Sequence, residues 1–208
     1  MELKRVVVTG LGAVTPLGNS VKETWNNLLN GVSGAGPITQ FDSSKCKTHF
    51  ACEIKNLNIA DWLDRKEARK IDRYTQIAMI SAIQAVQDSG MDLDAVDKNR
   101  IGVVYGVGIG GIRTFEDEVV YYGQHIDDGP KFSPFFIPKM ISDIAAGHIS
   151  IHFGFHGPNF ATTSACASSS NALADAFNLI RLGKANAILA GGAESAICMC
   201  GVGGFNAM

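Results

Sequence analysis

The sequence predicts an α/β protein with a mostly parallel, mixed sheet covered by helices. Apolar runs rich in valine and isoleucine lack the alternation of a half-wetted strand. Amphipathic helical patterns separate them, and glycine clusters mark the boundaries. The 23 glycines exceed the usual share of ~7%, yet they form no low-complexity tract.

In chain order, Arg5-Val6-Val7-Val8-Thr9-Gly10 reads as a buried strand closed by glycine. Ser20-Val21-Lys22-Glu23 has the form of a capping box, so a helix is expected from Val21 to Leu29, stopped at Gly31. Residues 32–60 carry no long periodicity and predict loops with short strands. Residues 65–89 form the longest helical pattern, with Ile71, Ile77, Ala78, Ile80, Ala82, Ala85 and Val86 on its apolar face and Gly90 at its end. A second buried strand is expected over residues 101–107. Pro130, Pro134 and Pro138 mark an irregular stretch before a short helix at 141–148. A strand at 160–165 should lead into a helix at 168–182 closed by Gly183, and residues 187–190 predict a last strand entering Gly191-Gly192. No structured element is expected after the final glycine-rich turn. The length fits one large domain or two small ones, and no repeat or linker divides residues 1–208.

Composition narrows the function. A net charge of −2, with 18% charged and 46% apolar residues, argues for a globular protein and against a nucleic-acid partner. The odd count of five cysteines, without framework spacing, suggests reduced thiols in the cytoplasm. Cys198 and Cys200 are too close for a metal knuckle, and no second ligand pair follows, so no metal is expected. The amino terminus does not resemble a signal peptide, and no apolar run is long enough to span a membrane.

The chemistry concentrates in Ala161-Thr162-Thr163-Ser164-Ala165-Cys166-Ala167-Ser168-Ser169-Ser170. Small residues surround one cysteine between a predicted strand and a predicted helix. Such a turn would place the thiol at a helix N-terminus, where free N–H groups stabilise a thiolate and could hold an oxyanion. The residues alone leave open a buried structural cysteine. Gly106-Val107-Gly108-Ile109-Gly110-Gly111 also satisfies a dinucleotide-binding pattern, with Asp127 about 20 residues on. That suggests a nucleotide-dependent oxidoreductase, although no clear βαβ unit supports it. A third reading is a non-catalytic module that only docks or dimerises. Arg65, Lys66, Arg69, Lys70 and Arg73 predict a cationic helical stripe, which by itself is an ordinary solvated face.

An ordered set of segments goes further: Val6-Val7-Val8-Thr9-Gly10-Leu11-Gly12, Gly108-Ile109-Gly110-Gly111, Ser133-Pro134-Phe135-Phe136-Ile137-Pro138, Thr163-Ser164-Ala165-Cys166, Ala190-Gly191-Gly192-Ala193-Glu194 and Gly201-Val202-Gly203-Gly204-Phe205. Together they resemble a β-ketoacyl-acyl-carrier-protein synthase of the KAS II type, over essentially the whole chain but only the N-terminal half of that enzyme. The resemblance implies a thiolase-like fold and an acyltransferase of fatty-acid elongation. It makes Cys166 the acyl-accepting nucleophile and places Ile109, Phe136 and Phe205 along the acyl pocket. Phe136 would also reach a second subunit of a homodimer. Lys66, Arg69 and Lys70 would dock an acidic acyl carrier protein, which brings its own phosphopantetheine, so no resident cofactor is implied. The family's catalytic histidines and lysine belong to the C-terminal half. His49, His125, His148, His152 and His156 match none of them and read as structural, so this chain alone should not condense.

Overall fold

Local signals place the first helix where the sequence predicts it. In the computed structural model, which describes residues 3–208, the Ser20 hydroxyl accepts from the Glu23 amide at 3.2 Å and opens α1 (Val21–Leu29). The Glu23 carboxylate reaches back to the Asn19 amide at 2.8 Å. A two-residue antiparallel ribbon follows, β1 (Gly36–Pro37) with β2 (Phe50–Ala51). Next come α2 (Arg65–Ala68), α3 (Arg73–Ser89), β3 (Ile101–Gly106), α4 (Ile112–Gln124), α5 (Phe136–Met140) and α6 (Ile144–Phe153). The chain closes with β4 (Asn159–Thr162), α7 (Ser168–Arg181), β5 (Ala187–Gly192) and α8 (Met199–Asn206).

β3 is central in a three-stranded sheet of order β4-β3-β5, and both of its pairings are parallel. All six of its residues are buried, as an uninterrupted apolar run requires. Alternation sorts its side chains between two layers. Val103 and Tyr105 meet Tyr74, Ala78 and Ala82 of α3 and Ala145, Ala146 and Ile149 of α6 in the main core. The Tyr105 hydroxyl pairs with Ser81 of α3 at 3.2 Å. Gly106 faces the other way, onto the start of α7.

Four expectations are corrected. Residues 5–10 form no strand; Val7 and Val8 are exposed, and Val6 and Gly10 are partly buried. Their bonded neighbours lie outside any sheet: the Lys4 amide donates to the Arg181 carbonyl at 3.0 Å and the Leu11 amide to the Asp88 carboxylate at 2.8 Å. The single helix expected at 65–89 is two. Asp72 breaks it by capping the Tyr74 amide at 3.0 Å while accepting from the Thr114 hydroxyl at 2.5 Å. The short helix expected at 141–148 is present but shifted, as α6 over 144–153, and the extended Ile141 separates it from the unforeseen α5. α6 ends at Phe153, before a left-handed Gly154, so His152 and His156 share no helix.

The last expectation, an unstructured end, fails because residues 199–206 are helical. The Glu116 carboxylate of α4 accepts from the Met199 amide at 3.3 Å and from the Cys200 amide, and so caps α8 from a distant element. α4 itself went unpredicted. None of its residues is buried, and it packs chiefly against α5 and α8, with Tyr122 against Phe132 of the loop before α5.

Candidate active site at Cys166

β4 ends at Thr162, and a 3-10 turn at Ala165–Ala167 delivers Cys166 to the start of α7. Ala165 has φ +49, a left-handed conformation that costs a non-glycine residue about 1–3 kcal/mol. The surroundings over-determine it. The Ser168 hydroxyl accepts from the Ser164 amide at 2.9 Å and donates to the Ala165 carbonyl at 2.7 Å. The Thr162 hydroxyl donates to the Ser168 carbonyl at 2.8 Å, and the Asn171 side chain donates to the Ser164 hydroxyl at 2.6 Å. Ser168 itself is buried.

Two glycines let this bend approach the sheet. A Cβ at Gly106 would lie 2.4 Å from the Ser168 carbonyl carbon and from the Ser169 nitrogen. At Gly192 it would lie 2.0 Å from the Ser169 hydroxyl. The neighbouring loop is latched to the same bend: the Val107 amide donates to the Thr162 carbonyl at 3.0 Å, and the Thr163 hydroxyl donates to the Val107 carbonyl at 2.9 Å.

The resulting thiol is exposed, which excludes the buried structural reading of Cys166. Cys198 is the contrast. It is buried, and its thiol is pushed up to about 11, mainly by burial and further by the nearby Glu116 charge. Cys200 is raised too, first by its hydrogen bond to Glu116, then by burial. Burial and the Glu116 carboxylate thus disfavour the thiolate at both positions.

Ile109 sits one residue from Gly108, whose added Cβ would lie 3.4 Å from the Ala165 carbonyl, so it belongs to the Cys166 neighbourhood. Phe136 stands elsewhere, in an aromatic group with Phe132 (5.1 Å between centroids) and Phe115 (6.2 Å). Phe205 is exposed on α8. Among the described residues, no hydrogen bond or ring contact joins Phe136 or Phe205 to Cys166.

The basic residues do not form one helical stripe, which corrects that expectation. Lys66 is in α2, Arg69 caps its end, Lys70 lies beyond it, and Arg73 opens α3. Lys70 pairs with Glu67 at 2.7 Å on the surface. Arg73 is half-buried, and its pKa is lowered first by that burial and then by Arg113. His148 is likewise lowered by burial, against the attraction of Glu67, and is packed in α6. Among the described residues no group of three His, Cys, Asp or Glu side chains is placed to hold a metal ion. No helix there is long and apolar enough to cross a membrane.

The glycine-rich run at 106–111 does precede a helix, yet its amides are already used. Gly108 and Ile109 donate to the Glu194 carboxylate, and Gly111 donates to the Met140 carbonyl at 3.1 Å. Its glycines admit the start of α7, the Glu194 carboxylate and the Lys139 carbonyl, and a pyrophosphate would find no free row of donors. In the sequence Ser168 is one small residue among several, and Glu194 is only part of the Ala190–Glu194 segment. A serine three positions after Ala165 was the available signal for the first; nothing local announced the second.

Residues 3–208 match the family model for the β-ketoacyl synthase N-terminal domain. The chain is 46% identical over 205 residues to 3-oxoacyl-acyl-carrier-protein synthase 2 of Staphylococcus aureus strain COL, covering 98% of this chain and 49% of the relative. It is 43% identical over 206 residues to the enzyme of the same name from Synechocystis, covering 99% and 49%. It therefore spans about half the length of the curated relatives it matches. A β-ketoacyl synthase from Burkholderia phymatum superposes with a TM-score of 0.84 at 28% identity, covering 99% of this chain and 50% of that one. The ishigamide ketosynthase/chain length factor gives 0.89 at 24% identity, covering 99% and 51%, a likeness of fold. The chain thus belongs to the β-ketoacyl synthase family, whose N-terminal domain it carries.

Proposed function

We propose that this chain is the acyl-accepting part of a fatty-acid-elongating β-ketoacyl-acyl-carrier-protein synthase, with Cys166 as nucleophile. The carrying observation is an exposed thiol in a braced, left-handed bend at the start of α7, within a chain of this family. Cys166 Sγ attacks the thioester carbonyl of an acyl group on the carrier protein's phosphopantetheine arm. The tetrahedral adduct collapses, the pantetheine thiol leaves, and the acyl group stays on sulfur. Malonyl carrier protein then loses CO₂, and its carbanion attacks the acyl-cysteine carbonyl. Cys166 is expelled, and a β-ketoacyl product two carbons longer departs. Decarboxylation draws on groups in the half of the relatives that this chain does not span.

The acyl carrier protein is the proposed partner, with Lys66, Arg69 and Lys70 as its contacts. Complementary charge there would speed encounter more than it deepens affinity. A solved neighbour, at 24% identity and a TM-score of 0.82 over 97% of this chain and 53% of that one, is described as a type II PKS acyl-carrier protein in complex with its ketosynthase. A homodimer would cover the exposed apolar surface around Phe136, with Phe115 and Ile137 beside it. We place the enzyme in the cytoplasm, where its five unpaired cysteines fit a reducing environment.

The test is intact-mass and peptide analysis of the full-length protein after incubation with octanoyl carrier protein. An octanoyl adduct on the Cys166 peptide, absent from C166A, is expected. An adduct elsewhere, or none on the wild type, would overturn the reading.

A further inference from the structure

Glu194 lies just beyond β5, and its carboxylate faces the loop that follows β3. Its Oε1 accepts from the Ile109 amide at 3.0 Å and from the Gly108 amide beside it. Among the described residues it pairs with no lysine or arginine, so the two amides are its bonded partners. Gly108 is held in a narrow gap: an added Cβ would lie 3.0 Å from Glu194 Oε1 on one side and 3.4 Å from the Ala165 carbonyl on the other. Ala165 is the strained residue immediately before Cys166. Val107, on the near side of the same loop, is bonded to Thr162 and Thr163 of the bend. The backbone that carries Ile109 is therefore fixed at two points, by the bend through Val107 and by Glu194 through Gly108 and Ile109.

We infer that Glu194 is a positioning residue that sets acyl-chain selectivity. This rests on the reading of Cys166 as the acylated thiol and of Ile109 as pocket wall. The carboxylate holds the Ile109 backbone at a fixed offset from Cys166, and so fixes the room available to the chain beyond the thioester. A charge-assisted pair of amide bonds suits this task, because it is short, directional and stronger than a neutral pair. One acceptor oxygen serves both amides, so a glutamine carbonyl can substitute for it while alanine cannot.

Full-length E194A and E194Q test this with two readouts. In E194A the amides of Gly108 and Ile109 should exchange about tenfold faster. Its relative rates of Cys166 acylation by butyryl, octanoyl and palmitoyl carrier protein should shift by about tenfold, the scale on which a pocket wall discriminates methylenes. E194Q should keep the wild-type chain-length profile. Iodoacetamide alkylation of Cys166 and the melting temperature report whether E194A is merely damaged, since general unfolding would slow all three substrates together and leave their ratios unmoved. Unchanged exchange in E194A overturns the clamp. Fast exchange with an unmoved chain-length profile overturns the selectivity role, as does an E194Q profile matching E194A. A wild-type protein that takes up no acyl group at Cys166 instead overturns the parent reading, and the exchange data still decide the clamp.

Discussion

Two glycine-terminated, β-branched runs look alike in this sequence and behave differently. Ile101 to Gly106 becomes the fully buried centre of the sheet, with Val103 at 0% exposure. Val6-Val7-Val8-Thr9-Gly10 stays outside the sheet, with Val8 at 80%. The second run is pinned away from any strand edge. Lys4 is tied to α7, Leu11 and Ala13 are tied to Asp88 and Gln84 of α3, and Gly10 and Gly12 lie directly on the α3 backbone. Between this run and β5 lies an apolar cleft of about 560 Å³, which Val6, Val8, Leu173, Phe177 and Ile188 help to line. β-propensity records a fit to a pleated, partnered surface, and a ladder forms only where a partner edge is in reach.

The largest expected effect is at the buried run. Val103→Asp would place a carboxylate among α3 and α6 without a partner, costing more than about 4 kcal/mol. Loss of the cooperative urea transition in this 208-residue chain would be the sign; a stable V103D would break the contrast.

The same strand gives an intermediate, pH-dependent effect. Burial pushes Tyr105 up to about 12 from its usual 10.0, against the opposing hydrogen bond with Ser81. The raised value means that the folded state keeps its proton while the unfolded chain loses it. Stability is fully present below pH 10 and is lost as pH rises through about 12, at about 1.4 kcal/mol per unit. Tyr74 is raised to about 12 as well, chiefly by burial. Tyr105→Phe should therefore roughly halve the loss in urea titrations between pH 10 and 12 rather than abolish it. An unaltered slope would show that Tyr105 ionises freely.

The smallest effect belongs to the exposed run. Val8→Asp in this chain should change stability by no more than about 0.5 kcal/mol. Amides of residues 103–106 should be protected from hydrogen exchange while those of residues 6–9 exchange readily. A V8D loss approaching that of V103D would show that the first run is paired after all.

Other elements divide along the same line. α1 was legible because its cap is local: Ser20 and Glu23 act within one turn. α8 was not, because its capping carboxylate belongs to Glu116, more than 80 residues away. The break between α2 and α3 was hidden for a related reason. Asp72 caps α3 locally but is held in place by Thr114 of α4. At the site, Cys166 stood out because small residues and one thiol lie consecutively. Glu194 did not, because its meaning depends on where the loop after β3 ends up.

By itself the sequence determined the three strands of the main sheet, the first helix with its local cap and the thiol in its run of small residues, since each rests on neighbours within a few positions. Only the tertiary structure decided which apolar run joined the sheet, which helix ends were capped from afar and which backbone was clamped beside Cys166. Those outcomes depend on hydrogen-bonding groups from distant segments meeting in space, and no local pattern encodes that meeting.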